Sequence, residues 1–256
     1  MTMITESKNP IQVADRLFLV LETLAEHSSC GLIELSTQLN LHKSTIHRLL
    51  TSLTYLGYVK QDDANGKYSL TFKIAELSNK MLSKVDIIEI VHPHLKKLME
   101  QTGETVHFVQ LEDTQAIYID KVEAYQNSIR MVSMVGNHVP LYCSGVGKAI
   151  AASLPEVELK RIWEATDIRQ RTPHTIVDYD AFLKELEGVH TNGYAMDNEE
   201  NEMGVRCIAA ALSSDRGHTP YAFSISAPAN RLPDEKVDIY AKYILEAKHL
   251  LSKELF

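Results

Sequence analysis

Two groups of residues in this chain have the types and spacing to do chemistry. The first lies in LHKSTIHRLLTSLTYLGYVKQ, Leu41 to Gln61, where Lys43, Ser44, Thr45, His47 and Arg48 crowd together. No Asp or Glu occurs from Leu35 to Gln61, although the whole chain carries a formal charge of −8. Short hydroxyls can bond phosphates or base edges, and Arg48 can fork onto a guanine. A carboxylate beside those phosphates would be repelled. The chemistry is recognition of a polyanion, with Lys60 and Lys67 placed to reach a nucleic-acid backbone. The plainer reading is a solvated helix face.

The second group is spread along the C-terminal half. CSGVGKAI places Ser144, Gly145 and Val146 at a helix N-terminus, where free N–H groups and the helix dipole suit a carboxylate. Glycine there lets a ligand approach the backbone closely. Ser224 and Ser226 alternate along one strand and so point to the same side. Cys207 sits in an apolar strand, and Asp197 opens the acidic segment DNEENE. Taken singly, each has a plainer reading. Cys207 is a small core residue, the serines bond sheet edges, and the glycines serve packing.

Catalytic constellations are missing. CSGVGKA lacks the glycine that a phosphate-binding loop needs five residues before Gly147-Lys148, and Ala149 replaces its metal-binding Ser or Thr. The G-x-S-x-G nucleophile signature is absent. Eleven histidines show no HExxH or other ligand spacing, so no metal and no cofactor are expected. His107, Cys143 and Cys207 would make a Cys/His pair only by tertiary accident. No enzyme activity is expected.

At 256 residues the chain can hold one large domain or two smaller ones. No apolar run approaches the ~20 residues of a membrane span. The opening MTMITESKNP lacks the basic-then-apolar pattern of a secretory signal. Three widely spaced cysteines, Cys30, Cys143 and Cys207, argue against a disulfide framework and for a cytoplasmic protein. The charge is unevenly divided. Residues 1–84 hold 9 Lys/Arg against 8 Asp/Glu, whereas residues 85–256 hold 17 against 26. The N-terminal part tolerates a polyanion that the rest would repel.

The elements that must position these residues can be read from periodicity. Val13, Leu17, Val20, Leu21 and Leu24 predict a helix over Ile11–Glu26. Leu32, Leu35 and Leu39 mark a second, shorter helix, and a tight turn at Asn40-Leu41 leads to a third beginning near His42. Ile46, Leu49, Leu50, Leu53 and Leu56 occupy one face of that third helix, and Gly57 caps it. Two short strands follow around Asn65-Gly66, a strong hairpin signal. Three helices and a hairpin make a winged helix-turn-helix, whose third helix enters the DNA major groove.

The segment GLIELSTQLNLHKSTIHRLLTSLTYLGYVKQDDANGKYSLTFKIAEL is similar to the DNA-binding domain of the isocitrate-lyase-regulator (IclR) family of bacterial transcription factors. Its lysine-serine-threonine, histidine-arginine-leucine-leucine and glycine-tyrosine-valine elements all match. One departure is Ile33, where the family usually has a hydroxyl residue to cap the second helix. Loss of that cap is expected to cost about 1 kcal/mol locally. A stiff helix over Thr71–Lys84, without glycine or proline, follows. By the resemblance it joins the two domains and pairs with a partner subunit.

In the remainder, a helix runs from Asp86 to Thr102, kinked or restarted at Pro93. Strands are expected at TVHFVQL, AIYIDKVE and IRMVSMV, then helices over Ser144–Ser153, Pro155–Thr166 and Tyr179–Asn192. Strands YAMDNEE, VRCIAAALS and YAFSISAPA and a helix over Pro233–Glu254 close the chain. The fold class is therefore α+β. A winged helix-turn-helix spans 1–70, a linker helix 71–85, and an effector-binding domain with a mostly antiparallel sheet 86–256. That last layout resembles the GAF-like effector domain of the family, so the resemblance covers essentially the full length.

The resemblance implies a pocket for small 2-oxo acids at Gly145, Val146, Asp197, Cys207, Ser224 and Ser226, with Met131, Arg130 and His107 as further lining candidates. GKYSLTFKIAEL and DNEENEMGVRCI look most like the 2-keto-3-deoxygluconate (KdgR-type) branch, although CSGVG departs from that branch's usual threonine-alanine loop. The expected protein is a ligand-responsive repressor of a carbon-catabolism operon. It would bind double-stranded DNA at a palindromic operator as a homodimer or dimer of dimers, with no membrane partner. The alternatives are an activator with an aromatic or other small carboxylate effector, a constitutive DNA-binding architectural protein, and a metabolic enzyme with a DNA-binding appendage.

Overall fold

The computed structural model describes residues 9, 11–82, 86–124, 132–212 and 221–255. The chain divides into two compact units, Met1–Val85 and Asp86–Phe256.

In the first unit, α1 (Gln12–Glu26), α2 (Leu32–Gln38) and α3 (Lys43–Tyr55) enclose an apolar core, and a hairpin of β1 (Val59–Gln61) and β2 (Tyr68–Leu70) follows. Val20, Leu24, Leu35, Ile46, Leu50 and Leu53 are all buried there, at the helical spacing that draws one face of each helix inward. Asn40 takes a positive φ of 49° in the turn between α2 and α3. Asp62 closes the hairpin by accepting from Ala64 N and Asn65 Nδ2. Cys30 adds a bridge to Tyr68, so the wing is anchored to the segment before α2.

The cap of α2 differs from expectation. The helix starts at Leu32 with Gly31 as its N-cap, and Ile33 lies inside the first turn, exposed. Glu34 reaches back and accepts from Gly31 N at 2.7 Å. That carboxylate satisfies a terminal donor, so the absence of a hydroxyl at Ile33 removes no cap.

After β2, α4 (Lys73–Leu82) begins under the end of α3. Lys73 Nζ donates to Leu56 O at 2.6 Å, and Thr71 Oγ1 donates to Gly57 O at 2.6 Å. The Leu56 carbonyl at the end of α3 is thereby satisfied by a cation, as the helix dipole favours, and that of Gly57 by a hydroxyl. Phe72, Leu77 and Met81 are exposed on and before α4 within the single chain.

The second unit runs α5 (Asp86–Thr102), β3 (Thr105–Glu112), β4 (Gln115–Val122), β5 (His138–Pro140), α6 (Gly145–Ser153), α7 (Glu156–Ala165), α8 (Tyr179–Asn192), β6 (Ala195–Asn198), β7 (Val205–Leu212), β8 (Tyr221–Pro228) and α9 (Asp234–Leu255). Six strands form one sheet in the order β5-β4-β3-β8-β7-β6, every pairing antiparallel. One face packs Phe108, Ile208, Phe223 and Ile225 against α5 and α9. The other packs Val109, Ala209, Ala211 and Ala222 against α6 and α8. The small residues on this second face let α6 lie close to the strands.

Pro93 does not restart α5, which is continuous from Asp86 to Thr102. Pro93 and Glu89, whose carbonyl loses its partner, are both exposed, so water can take the missing bond. The strand expected at IRMVSMV is not formed over its described part. Residues 132–134 are irregular, Val132 and Met134 are exposed, and Gly136 turns the chain at φ +94° into β5. The earlier part of that stretch, including Arg130 and Met131, lies outside the described residues.

Candidate functional site

Strand register assembles the polar residues of the second unit. Asp197, Cys207, Ser226 and Thr105 stand in one row across adjacent strands, and Ala209, Ser224, His107 and Lys121 in the next. Cross-strand neighbours share a face, so the rows form a polar floor beside the alanines that carry α6. A β-bulge in β4, between the partners of Phe108 and Val109, puts Tyr118 and Lys121 on this same side although they are three residues apart.

The N-terminus of α6 closes the site from above. Ser144 is the N-cap: its Oγ accepts from Gly147 N at 3.0 Å and donates to Pro140 O at 2.6 Å. A Cβ on Gly145 would lie 3.3 Å from Cys207 Cβ and 3.5 Å from Asp197 N, so this turn sits directly on the strands. A Cβ on Gly147 would overlap Leu141 Cα and Pro140 O. The two glycines therefore fix how near the first turn of α6 comes to the floor.

Between helix and floor is a cavity of about 60 Å³, lined by Gly145, Val146, Asp197, Cys207, Ser224 and Ser226 together with Ser144, His107, Tyr118, Val132, Ser133, Asn201, Glu202 and Val205. One water needs ~10–15 Å³, so the space as it stands has room for a few waters. Six of the seven effector residues read from the sequence meet here, and Met131 lies outside the described residues. Sequence reasoning missed Tyr118, Ser133, Asn201 and Glu202 as lining residues. Asn201 and Glu202 belong to the acidic segment already noted, whereas the bulge that turns Tyr118 inward leaves no local signal.

Burial, with Lys121 nearby, lowers the pKa of His107 to about 3, so the imidazole is neutral. It bonds Ser226 Oγ at 3.1 Å through Nδ1 and Ser133 Oγ at 2.6 Å through Nε2. Burial pushes Asp197 up to about 7, against the backbone N–H of Glu200 that favours its ionised form. Burial also pushes the Cys143 thiol up to about 12 and raises that of Cys207. Neither sulfur is poised as a thiolate nucleophile. Among the described residues no group of three or more His, Cys, Asp or Glu is arranged to hold a metal ion.

Residues 79–253 match the family described as the bacterial transcriptional regulator IclR C-terminal domain, and residues 13–63 match the IclR helix-turn-helix domain. The chain belongs to the IclR family of transcriptional regulators. The DNA-binding transcriptional repressor YiaJ of Escherichia coli K12 is 39% identical over 243 residues, covering 94% of this chain and 86% of that protein. The HTH-type transcriptional regulator KdgR of the same organism is 34% identical over 250 residues, covering 97% and 95%. The crystal structure of Thermotoga maritima IclR superposes with a TM-score of 0.84 at 32% identity, over 94% of this chain and 98% of that one.

IclR-family regulators act on DNA, and the helix-turn-helix unit shows what this chain would present to it. On α3, Lys43, Ser44, His47 and Arg48 are exposed, while Thr45 is half-buried. Thr45 and Arg48 border a groove between α3 and α1 beside Arg16. Lys60 is exposed on β1, and Lys67, on the far side of the wing, pairs with Glu34 at 3.7 Å. Among the described residues no helix is long and apolar enough to cross a membrane.

Proposed function

We propose that this IclR-family regulator is a cytoplasmic repressor of a carbon-catabolism operon, released from its operator when a small 2-oxo acid or sugar acid such as 2-keto-3-deoxygluconate fills the cavity. The observation that carries the reading is the convergence of the α6 N-terminus, two serine hydroxyls and Asp197 on one small space. The free N–H groups at Gly145 and Val146 suit a carboxylate. Ser224 and Ser226 can donate to it, and Asp197 and Asn201 suit the hydroxyls of a sugar acid. The choice of a sugar acid follows the branch resemblance, and the repressor sign follows the name of the relative YiaJ.

In this reading residues 1–70 read DNA through Lys43, Ser44, Thr45, His47, Arg48, Lys60 and Lys67. Residues 71–85 form the linker helix, and residues 86–256 hold the effector. The operator is palindromic, matched by a homodimer or a dimer of dimers. The effector must bind the DNA-competent and DNA-incompetent states with different affinity, because only that difference shifts their populations. The chain is no enzyme in this reading, since the raised thiol pKa values leave no thiolate and His107, lowered to about 3 by burial, is too weak a base to activate a serine.

A thermal-shift screen of sugar acids and 2-oxo acids, followed by operator-binding assays, tests the proposal. A true effector raises apparent stability with the logarithm of its excess and weakens operator binding. Turnover of a candidate acid by pure protein would favour the enzyme alternative. Operator binding unaffected by every acid would favour the constitutive one.

A further inference from the structure

Beside the cavity lies a buried charge cluster that the proposed function does not use. Lys148, one turn after Gly145 on α6, has no exposed surface. Its Nζ lies 2.5 Å from Glu200 Oε1 and 2.8 Å from Glu185 Oε1. Burial disfavours the ammonium, but Glu200 and Glu185 outweigh it and hold its pKa above the usual lysine value. Stability does not demand an ion pair here, because well-packed apolar side chains in such places are often as stable or more so.

Glu200 links this lysine to the cavity wall. Its backbone N–H donates to Asp197 Oδ1 at 2.8 Å, and its backbone carbonyl accepts from Thr175 Oγ1 at 2.7 Å. Asn201 N also donates to Asp197 Oδ1, at 3.4 Å. The second carboxylate oxygen of Glu200 is buried and has no hydrogen-bond partner among the described residues. Its Oε1 also accepts from Asn198 N at 3.4 Å, so Lys148, at 2.5 Å, is the shorter and charged of the two contacts that hold this side chain. The segment thus fastened contributes Asp197, Asn201 and Glu202 to the cavity. One helix therefore carries both the N–H groups at the site and the clamp on the segment that lines it.

We propose that Lys148 is a positioning residue for effector selectivity: by clamping Glu200 it sets the spacing between the α6 N-terminus and the Asp197–Glu202 wall, and so decides how long and how hydroxylated an acid the cavity accepts. The selectivity rests on the reading that the cavity holds a 2-oxo acid, whereas the clamp itself does not. A three-carbon acid held at α6 alone is indifferent to the wall. A longer polyhydroxylated acid needs it.

The test uses the full-length chain with Lys148→Met paired with Glu200→Met, which leaves no fully buried charge unpaired because Glu185 is partly exposed, and with Glu200→Gln, which keeps an acceptor for Lys148. In ligand-free protein, amide hydrogen exchange at Glu200 and Asn201 should quicken about tenfold in the paired variant and less in Glu200→Gln, with α9 unchanged. Calorimetry with pyruvate and 2-keto-3-deoxygluconate should show pyruvate affinity changed by less than about threefold, while affinity for the longer acid falls about tenfold or more. Unchanged exchange at Glu200 and Asn201, or an unchanged ratio of the two affinities, would overturn the proposal. If wild type binds neither acid, the 2-oxo acid reading fails, and the exchange measurement decides the positioning role by itself. If the paired variant does not fold, Glu200→Gln decides it by the same two readouts.

Discussion

Ser224 Oγ and Ser226 Oγ lie 3.3 Å apart on the cavity face of β8. His107 Nδ1 engages Ser226, and the neutral ring offers one donor and one acceptor. The two hydroxyls are thus pre-aimed, and a carboxylate bound at Gly145 and Val146 would take both. Ser224→Ala with Ser226→Ala should cost about 1–3 kcal/mol of effector binding or more, because each lost bond is to a charged group. Calorimetry on the folded double variant checks this, and unchanged affinity would show that the effector binds elsewhere.

The raised pKa of Asp197, about 7, makes pH a second test. In the unfolded chain its pKa returns to about 3.9. Between those values the folded state binds the proton that the unfolded state has released. This residue's contribution to stability is therefore fully present below pH ~4 and falls by up to ~1.4 kcal/mol per pH unit as pH rises towards 7. Asp197→Asn should flatten that slope in denaturant titrations. An entering carboxylate disfavours the ionised form further, so binding near pH 7.5 should take up protons. Calorimetry in buffers of different ionisation enthalpy reads this uptake, and Asp197→Asn should abolish it.

Arg48 and Lys60 separate base reading from backbone contact. Arg48→Ala should lose roughly 1–3 kcal/mol on the operator if the guanidinium forks onto a base. Lys60→Ala should weaken binding to every sequence about equally and reduce the salt slope by about 1. Salt titrations on operator and random duplexes distinguish the two. Wild-type operator affinity in the Arg48 variant would remove α3 from the base-reading role.

The uncovered apolar residues Phe72, Leu77 and Met81 fit a paired assembly, and a two-fold assembly demands two half-sites related by its axis. Footprinting should show symmetric protection, and sedimentation should show no monomer at the same concentration. Protection of one isolated half-site by a monomer would contradict the pairing.

The two glycines of α6 should behave differently. Gly147→Ala drives a methyl into the backbone at Leu141 and Pro140 and should destabilise the unit by about 3 kcal/mol. Gly145→Ala meets Cys207 Cβ at 3.3 Å, so it should fold but narrow the cavity. Melting curves separate the first from wild type, and effector affinity separates the second.

The helices were legible because each buries one face at a spacing of three and four, and the β1–β2 hairpin because Asn65-Gly66 marks its turn. Ser224 and Ser226 were legible as a pair because strand alternation is local. The neighbours of β8 were not: β3 pairs with it across more than a hundred residues, as in His107 with Ser224, and such pairing leaves no trace in either strand. The burial of Lys148 is not legible because a lysine in a helix reads as solvated, and only Glu200 and Glu185, distant in sequence, make its burial tolerable. The cap of α2 was misplaced because glycine followed by Glu34 does the work usually sought from a hydroxyl.

The pairing of β3 with β8 also bears on how the protein is made. Val106 meets its partner Ile225 only after most of the chain has left the ribosome, and such distant contacts close slowly. The contacts of the helix-turn-helix core all lie within the first seventy or so residues and are complete much earlier. During synthesis the reader's core can therefore assemble while the sensor's central sheet does not yet exist. A chain truncated before β8 would retain the reader's sequence without the strand that carries Ser224 and Ser226, and in the proposed reading could not sense its effector.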